Sequence, residues 1–260
     1  MGRLITDLEG PIRRENPAML VVAGDSASTV AASLSAHLGK HPVAHIEAGI
    51  RGTRPGLPYP EEGFRRMISS LTTWHFAPTD ASRQNLLREG IDGCHIFVTG
   101  DPALDSLKPQ ASSLVPLDDP ELGAIDWQHP VALSTVVRRE NHGDAGYNIC
   151  NAYIELARST EHLQIIHVNH LNPHLCDTFW GVLKGKDRIH VTSPLPRKLF
   201  LSLLRRVNFV ITDSAGVQEE ASYIGKPIVS LRAAPDSGRV LNRACIVQEA
   251  GNDLGNIVAA

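Results

Sequence analysis

This chain is poor in cysteine, in aromatic side chains and in surplus charge, and each shortage excludes something. Its four cysteines, Cys94, Cys150, Cys176 and Cys245, are scattered singly. No C-x-x-C pair or disulfide-rich spacing joins them, which fits a reducing compartment. Lys plus Arg number 25 against 28 for Asp plus Glu, a formal charge of -3. That balance gives no general pull towards nucleic acid or acidic membranes. No stretch approaches the ~18 uncharged apolar residues of a membrane span. The opening MGRLITDLEGPIRREN has no long apolar core and no signal-peptide form. The cytoplasm is the expected location, with neither nucleic acid nor membrane as a partner. No G-x-G-x-x-G or G-K-[ST] string occurs, so a dinucleotide signature and a P-loop are both missing.

What is present is Gly (21) and Pro (17) beside only 5% aromatics, the composition of an α/β protein with a Val, Ile, Leu and Ala core and many tight turns. Short apolar runs recur, each followed by a turn and a helical pattern. AMLVVAGD (18–25) leads into SASTVAASLSAHLGK (26–40), and PVAHIEAG (42–49) into a helix near EEGFRRMISSL (61–71). WHFAPT (74–79) precedes a helix that Thr79 or Asp80 can cap and Gly90 can stop, and CHIFVTG (94–100) closes this half. Residues 108–130 carry four prolines and no sustained period, as a linker does. The pattern resumes with VALSTVV (131–137), LQIIHVN (163–169), DRIHVTS (187–193), NFVITDS (208–214) and KPIVSL (226–231), with helical stretches between. Strands and helices alternating in this way predict two doubly wound parallel-sheet domains of the Rossmann type. The expected division is 1–107, a linker over 108–130, and 131–260. The first domain, with four strand candidates against about five, starts abruptly.

Parallel sheets bind ligands at the carboxyl ends of their strands, so the residues just after each strand carry the most weight. In the first half these are Gly24-Asp25, Glu47 and Gly100-Asp101. Asp25 reads equally well as the N-cap of the helix beginning at Ser26 or Ala27. Glu47 sits between Ile46 and Ala48, where a partly buried carboxylate needs a partner or a raised pKa. Arg51, Arg54, Arg65 and Arg66 are the available partners. Glu61 and Glu62 open a helix, where the dipole favours both as ordinary first-turn residues. That role is enough for one of them and not obviously for both.

In the second half TDSAGVQEE places Asp213, Ser214, Ala215 and Gly216 between a strand and a helix, an anion-binding arrangement. Glu219 and Glu220 follow one turn in, where a carboxylate can take ribose hydroxyls. A simple capped helix is the competing reading. VRRENHG (137–143) offers Arg138, Arg139 and Asn141 to phosphate or uracil, or is a solvated charge run. His162, His167, His170 and His174 invite a metal site, but a proline interrupts HLNPH and no Cys or acidic ligand joins in register. No metal is expected.

Several strings together resemble the non-hydrolysing UDP-N-acetylglucosamine 2-epimerase family. They are GDSASTVAASLSAHLGKHPVAHIEAGIR, PEEGFRR, HFAPTDASRQNLLREG, IFVTGDPALDSL, RREN, HLNP and TDSAGVQEEASYIGKPIV, running from about 17 to 231. The resemblance implies two Rossmann-like domains in the glycosyltransferase-B arrangement, with the nucleotide sugar in the cleft. It implies an isomerase that interconverts UDP-GlcNAc and UDP-ManNAc without a nicotinamide or other cofactor. UDP leaves by anti-elimination, giving 2-acetamidoglucal, and adds back to the opposite C2 stereochemistry. The family's catalytic carboxylates fall on Asp25, Glu47 and Glu61. Its diphosphate and ribose contacts fall on Ser214, Gly216 and Glu219, with Arg138 and Asn141 beside them.

The chain also departs from the family. Val136 and Val137 stand where a glycine and a histidine usually precede RREN. DSGG has become DSAG through Ala215, and the ERPE region is represented by APDSGR (234–239). The leading β-α-β units with their GTRPE-type loop, and the usual C-terminal helix, have no counterpart here. A first domain without those units exposes a parallel-sheet edge, which invites pairing. The expected partners are therefore a UDP-sugar or UDP, and a second copy of the chain as a homodimer. The alternative function is an inactive relative that binds nucleotide weakly or assembles with a partner.

Overall fold

The computed structural model describes residues 1–107, 115–170, 173–232, 234–239, 241 and 245–260, and the side chains among these except 173–175. The chain divides into two compact units, Met1–Pro102 with Ala234–Val240, and Ala103–Ala233 with Leu241–Ala260.

The first unit runs α1 (Gly2–Glu15), β1 (Leu20–Ala23), α2 (Ala27–Leu38), β2 (Val43–Ile46), the two-residue β3 (Arg51–Gly52), α3 (Glu61–Leu71), β4 (Trp74–Ala77), α4 (Asp80–Arg88) and β5 (Ile96–Val98). Four strands pair in parallel in the order β1-β2-β4-β5. Val22, Val30, Ala36, Val43 and Ile68 pack one apolar cluster, and Ala48, Ala77, Leu86 and Ile96 a second. Small side chains let α2 lie close to the sheet. Its cap is Ser26, whose hydroxyl accepts from the Thr29 N–H at 3.3 Å. Thr79 caps α4 in the same way, accepting from the Ser82 N–H at 3.1 Å. Among the described residues β1 is an edge strand, and its Val21 is 55% exposed.

After a single turn, α5 (Pro102–Asp105), the second unit continues with β6 (Val131–Thr135), α6 (Asp144–Ser159), β7 (Gln164–Val168), α7 (Pro173–Leu183), β8 (Ile189–Thr192), α8 (Arg197–Arg206), β9 (Phe209–Thr212), α9 (Ala215–Tyr223) and β10 (Ile228–Ser230). The chain then forms β11 (Asp236–Ser237) before β12 (Val247–Glu249) and α10 (Leu254–Ala259). Six parallel strands line up as β12-β10-β9-β6-β7-β8. Chain order reverses between β6 and β9, so the crevice of this doubly wound sheet opens at their carboxyl ends. Both units are parallel α/β sheets, as the alternating pattern predicts.

Two boundaries differ from expectation. Residues 115–130 pack on the second unit instead of spanning a gap. Leu122 and Ile125 are buried, the Gln164 amide exchanges hydrogen bonds with the backbone of Asp126, and Glu121 accepts from the N–H and hydroxyl of Ser193. Residues 108–114 lie outside the described residues. The second difference is β11, which pairs antiparallel with β3 and so belongs to the first unit.

Candidate active site

Asp25 follows β1 and Glu47 follows β2 at the carboxyl edge of the first sheet, while Glu61 opens α3. Asp25 follows β1, and because Ser26 caps α2, the Asp25 carboxylate is not the cap. It accepts instead from Arg65, with Nε at 2.9 Å and the second guanidinium nitrogen at 2.8 Å. Arg65 sits one turn into α3 with its side chain 3% exposed, and its two terminal nitrogens also reach the buried Asp236 at 3.1 and 3.3 Å. Asp236 in turn accepts from Arg239 Nε at 2.8 Å. One buried guanidinium therefore joins the end of β1 to the 234–239 segment, which Thr79 and Ser82 secure through their hydroxyls on the Gly238 carbonyl, each at 2.7 Å.

The two glutamates that open α3 have different fates. Successive helical residues point about 100° apart, so only one can turn inward over β3. Glu62 does so: it is 2% exposed, accepts from the Gly52 N–H at 2.8 Å and from Arg66 Nε at 3.0 Å, and is wholly used in fixing the loop. Glu61 is half-buried, and its Oε2 is buried with no hydrogen-bond partner among the described residues. A buried acceptor left unsatisfied costs roughly 1–3 kcal/mol, so this atom is maintained against its own desolvation.

Glu47 carries a second cost. Its φ is +67°, the left-handed region, which a residue with a Cβ enters at a penalty of roughly 1–2 kcal/mol. Burial first, then the fields of Asp101 and Asp25, raise its pKa, while Arg239 and Arg65 pull it down. The arginines nearest in sequence are engaged elsewhere: Arg51 clamps Glu89 with bonds of 2.8 and 2.6 Å, and Arg66 bonds Glu62 and Glu89. Under the site, His45 on β2 and His75 on β4 stand opposite each other in register. His45 Nε2 donates to the Gly24 carbonyl at 2.8 Å, holding the turn before Asp25. Burial holds both imidazoles down to about 4, so they are neutral.

The second unit places the other expected residues around the β6–β9 crevice. Asp213 is its keystone, fully buried and accepting from the Val137 N–H, the Arg138 N–H and the Asn141 amide at 2.9, 2.9 and 2.8 Å. Burial raises its pKa, against the pull of these three bonds. The Asn141 amide also donates to the Leu231 carbonyl, and its oxygen accepts from Asn252 at 3.1 Å. Asn141 thus orders the 138–141 turn from inside. Arg138 is half-buried, and among the described residues its guanidinium makes no hydrogen bond or ion pair.

Ser214 caps α9, accepting from the Val217 N–H at 3.4 Å. The N–H groups of Ala215 and Gly216 have no partner among the described residues, as expected at a helix start. Gly216 is exposed, and a Cβ there would meet nothing within 4 Å, which leaves room against the helix end. Glu219 is 4% exposed, and Glu220 is taken by Arg197 in a bidentate pair of 2.9 and 2.6 Å. Beside them lies a cavity of about 180 Å³ lined by Thr135, Val137, Asn169, His170, Phe200 and Val217 among others. His167 is stacked on Phe179 with ring centres 4.3 Å apart and belongs to the core. Leu171 and Asn172 of the HLNP string, and the His174 side chain, lie outside the described residues.

Sequence reasoning missed the Arg65–Asp236–Arg239 network. Its local trace is the acid and arginine of APDSGR, which pair with each other, while Asp236 also pairs with Arg65 about 170 positions earlier.

The profile described as UDP-N-acetylglucosamine 2-epimerase matches residues 1–260. A Yersinia pestis UDP-N-acetylglucosamine 2-epimerase is 36% identical over 92% of this chain and 67% of its own length. That of Neisseria meningitidis is 34% identical over 98% of this chain and 70% of its own. These curated relatives are longer, and the chain spans 59% to 70% of their lengths. Among solved structures, the Neisseria meningitidis UDP-GlcNAc 2-epimerase bound to UDP-GlcNAc superposes with a TM-score of 0.87 at 33% identity, covering 98% of this chain and 70% of that one. Staphylococcus aureus MnaA with UDP gives 0.87 at 31%, covering 99% and 70%.

Proposed function

The chain belongs to the UDP-N-acetylglucosamine 2-epimerase family, and from that premise we propose that it interconverts UDP-GlcNAc and UDP-ManNAc by eliminating and re-adding UDP. The observation that carries this reading is the acid trio of the first unit. Asp25 is fixed by Arg65, Glu47 is held in a strained backbone with a raised pKa, and Glu61 presents a buried oxygen without a partner among the described residues. Groups kept unsatisfied or strained mark a site where a ligand completes them.

Elimination removes the C2 proton while the anomeric C–O bond breaks and its electron pair leaves with UDP. The electrons of the C2–H bond become the C1=C2 double bond of 2-acetamidoglucal. Glu61 Oε2, open to a proton, acts as the base of one direction. Glu47, biased towards its protonated form, acts as the acid that returns a proton to C2 on the other face. Asp25 holds the sugar and steadies Arg65. In the second unit the unpartnered N–H groups opening α9, the Arg138 guanidinium and the Ser214 hydroxyl receive the diphosphate. Glu219 takes the ribose, and Asn141 keeps the Arg138 turn in place.

The redox state of the sugar does not change, so the chemistry asks for no nicotinamide. No helix among the described residues is long and apolar enough to cross a membrane, and a cytoplasmic location belongs to the same reading. A homodimer is part of it too, and sedimentation velocity reads the mass directly.

Incubation with UDP-GlcNAc in D2O tests the function. Deuterium at C2 together with UDP-ManNAc is the expected result by proton NMR. Intact protonated substrate, with UDP binding still visible as a change in protein fluorescence, would leave a nucleotide-binding relative without the activity.

A further inference from the structure

Residues 234–239 follow β10 in the chain yet belong to the first unit. Backbone contacts fix them there as firmly as charge does. The Pro235 carbonyl accepts from the Thr53 N–H at 3.2 Å and from its hydroxyl at 2.9 Å, and Asp236 and Ser237 pair with Gly52 and Arg51 across β11 and β3. Gly238 has φ +96°, and a Cβ there would fall on the Ser82 hydroxyl, so glycine alone lets the segment lie this close to α4. This docking carries Asp236, its side chain fully buried, to one edge of the Arg65 guanidinium. The bonds then divide that guanidinium in two. Nη1 and Nη2 donate to Oδ1 and Oδ2 of Asp236 at 3.1 and 3.3 Å, while Nε and Nη2 converge on Oδ2 of Asp25 at 2.9 and 2.8 Å. Oδ1 of Asp25 has no hydrogen-bond partner among the described residues, and the Asp25 side chain is 32% exposed.

We propose that Asp236 is a positioning residue for Asp25: it holds one edge of the Arg65 guanidinium, leaves the other edge to a single oxygen of Asp25, and so reserves the second oxygen for a sugar hydroxyl. The inference rests on the epimerase reading above. A guanidinium is planar and presents its donors in fixed directions. With its Nη1–Nη2 edge held on Asp236, Arg65 cannot swing to meet Asp25 squarely, and the two-oxygen fork that a free pair favours does not form. Asp236 also accepts from Arg239 Nε at 2.8 Å, so one buried carboxylate serves two cations whose side chains are 3% and 13% exposed. Removing its charge sets Arg65 and Arg239 against each other. Glu62, at 3.7 Å from Arg65, is already spent on the Gly52 N–H and Arg66. Arg65 is then driven onto both oxygens of Asp25, and the one that receives the sugar closes. No contact with the substrate is asked of Asp236 itself.

The test measures C2 deuterium exchange of UDP-GlcNAc in D2O for the wild type, Asp236→Asn, Asp25→Asn and the double variant. NMR follows the solvent protection of the Arg65 Nε proton in each. Asp236→Asn should lose about 10- to 100-fold in exchange rate while binding UDP as the wild type does. In the Asp25→Asn background the same change should cost less than about threefold further, because it acts only through Asp25. A purely architectural carboxylate would subtract its full loss a second time, and that additive result overturns the proposal. Protection of the Arg65 Nε proton should fall at least about tenfold in Asp236→Asn. Unchanged protection overturns the proposal as well. If Asp236→Asn does not fold, Gly238→Ala decides, since it pushes the segment off Ser82 without altering a charge. The same Asp25-dependent loss is expected there, and full exchange in the folded variant contradicts it. A wild type that gives no exchange and no UDP-ManNAc, with the Arg65 proton still dependent on Asp236, sinks the epimerase reading and leaves the hold of Asp236 on Arg65 standing.

Discussion

The two sheets end in edges built from the same residue types, yet the first leaves acids strained or unpartnered where the second satisfies them. At the second edge Asp213 accepts three hydrogen bonds, Thr135 and Thr212 share one of 2.7 Å, and Asn141 uses both ends of its amide. In the first unit Glu61 keeps a buried oxygen bare among the described residues, and Glu47 holds a backbone conformation that disfavours it. Both arrangements obey one rule, that a buried polar group needs a partner or exacts a cost. A binding surface benefits from rigid, satisfied scaffolding that presents a few free donors. A site for proton transfer benefits from carboxyls whose missing partner is the substrate.

The contrast can be broken most sharply through Glu47. Glu47→Gln keeps the shape and removes the exchangeable proton, so C2 exchange should fall by about 10²–10⁴-fold. The protein should lose no stability at neutral pH. Because the folded pKa of Glu47 is raised, its contribution is present at low pH and lost as pH rises through the folded value. The neutral amide escapes that loss, and thermal unfolding of the variant should show an unchanged or higher midpoint.

Asp213→Ala tests the satisfied side. It strands two N–H groups and an amide in the core of the second unit, at a cost of about 3 kcal/mol. Urea unfolding followed by the fluorescence of Trp127 and Trp180, both in the second unit, should report this loss, with Trp74 of the first unit unfolding as before.

Acid should weaken the first unit through His45. Its pKa is lowered by burial from 6.5 to about 4, so the unfolded chain takes up a proton that the fold refuses. Stability is full above the unfolded value and drains away as pH falls from about 6.5 towards 4, with roughly 2 kcal/mol lost between pH 7 and 5. His45→Gln, which can still donate to the Gly24 carbonyl, should remove that share of the loss from the Trp74 unfolding midpoint.

The smallest effect is conformational. Glu47→Gly relieves the left-handed backbone and the desolvated carboxyl, so it should gain about 1 kcal/mol in the same unfolding measurement while exchange disappears.

Much of this organisation was legible in the sequence, because repeated apolar runs and helical periods are local signals. VALSTVV, LQIIHVN and NFVITDS became β6, β7 and β9 in a six-stranded sheet. Elements with weak local signals were lost. α1 turns only Ile5, Leu8 and Ile12 inward and carries Pro11 in its interior, while β3, β11 and β12 are two or three residues long. The trio of acids could be named from motif resemblance, but two choices could not be made from sequence. Asp25 and Ser26 are both good caps, and only the geometry assigns the bond to Ser26. Glu61 and Glu62 are chemically identical neighbours, and only their helical phase separates the acid that fixes the loop from the one with an unpartnered oxygen. The pairing of Arg65 with Asp236 joins positions 171 residues apart, beyond any periodic signal.

That separation of two adjacent glutamates is also where the account is most exposed. C2 deuterium wash-in from D2O, measured on UDP-GlcNAc with Glu61→Gln and Glu62→Gln side by side, decides it. Glu61→Gln should lose at least 100-fold in exchange while melting no lower than the wild type. Glu62→Gln should melt lower and still exchange in its folded fraction. Wild-type exchange in Glu61→Gln would contradict the assignment of chemistry to the unpartnered oxygen.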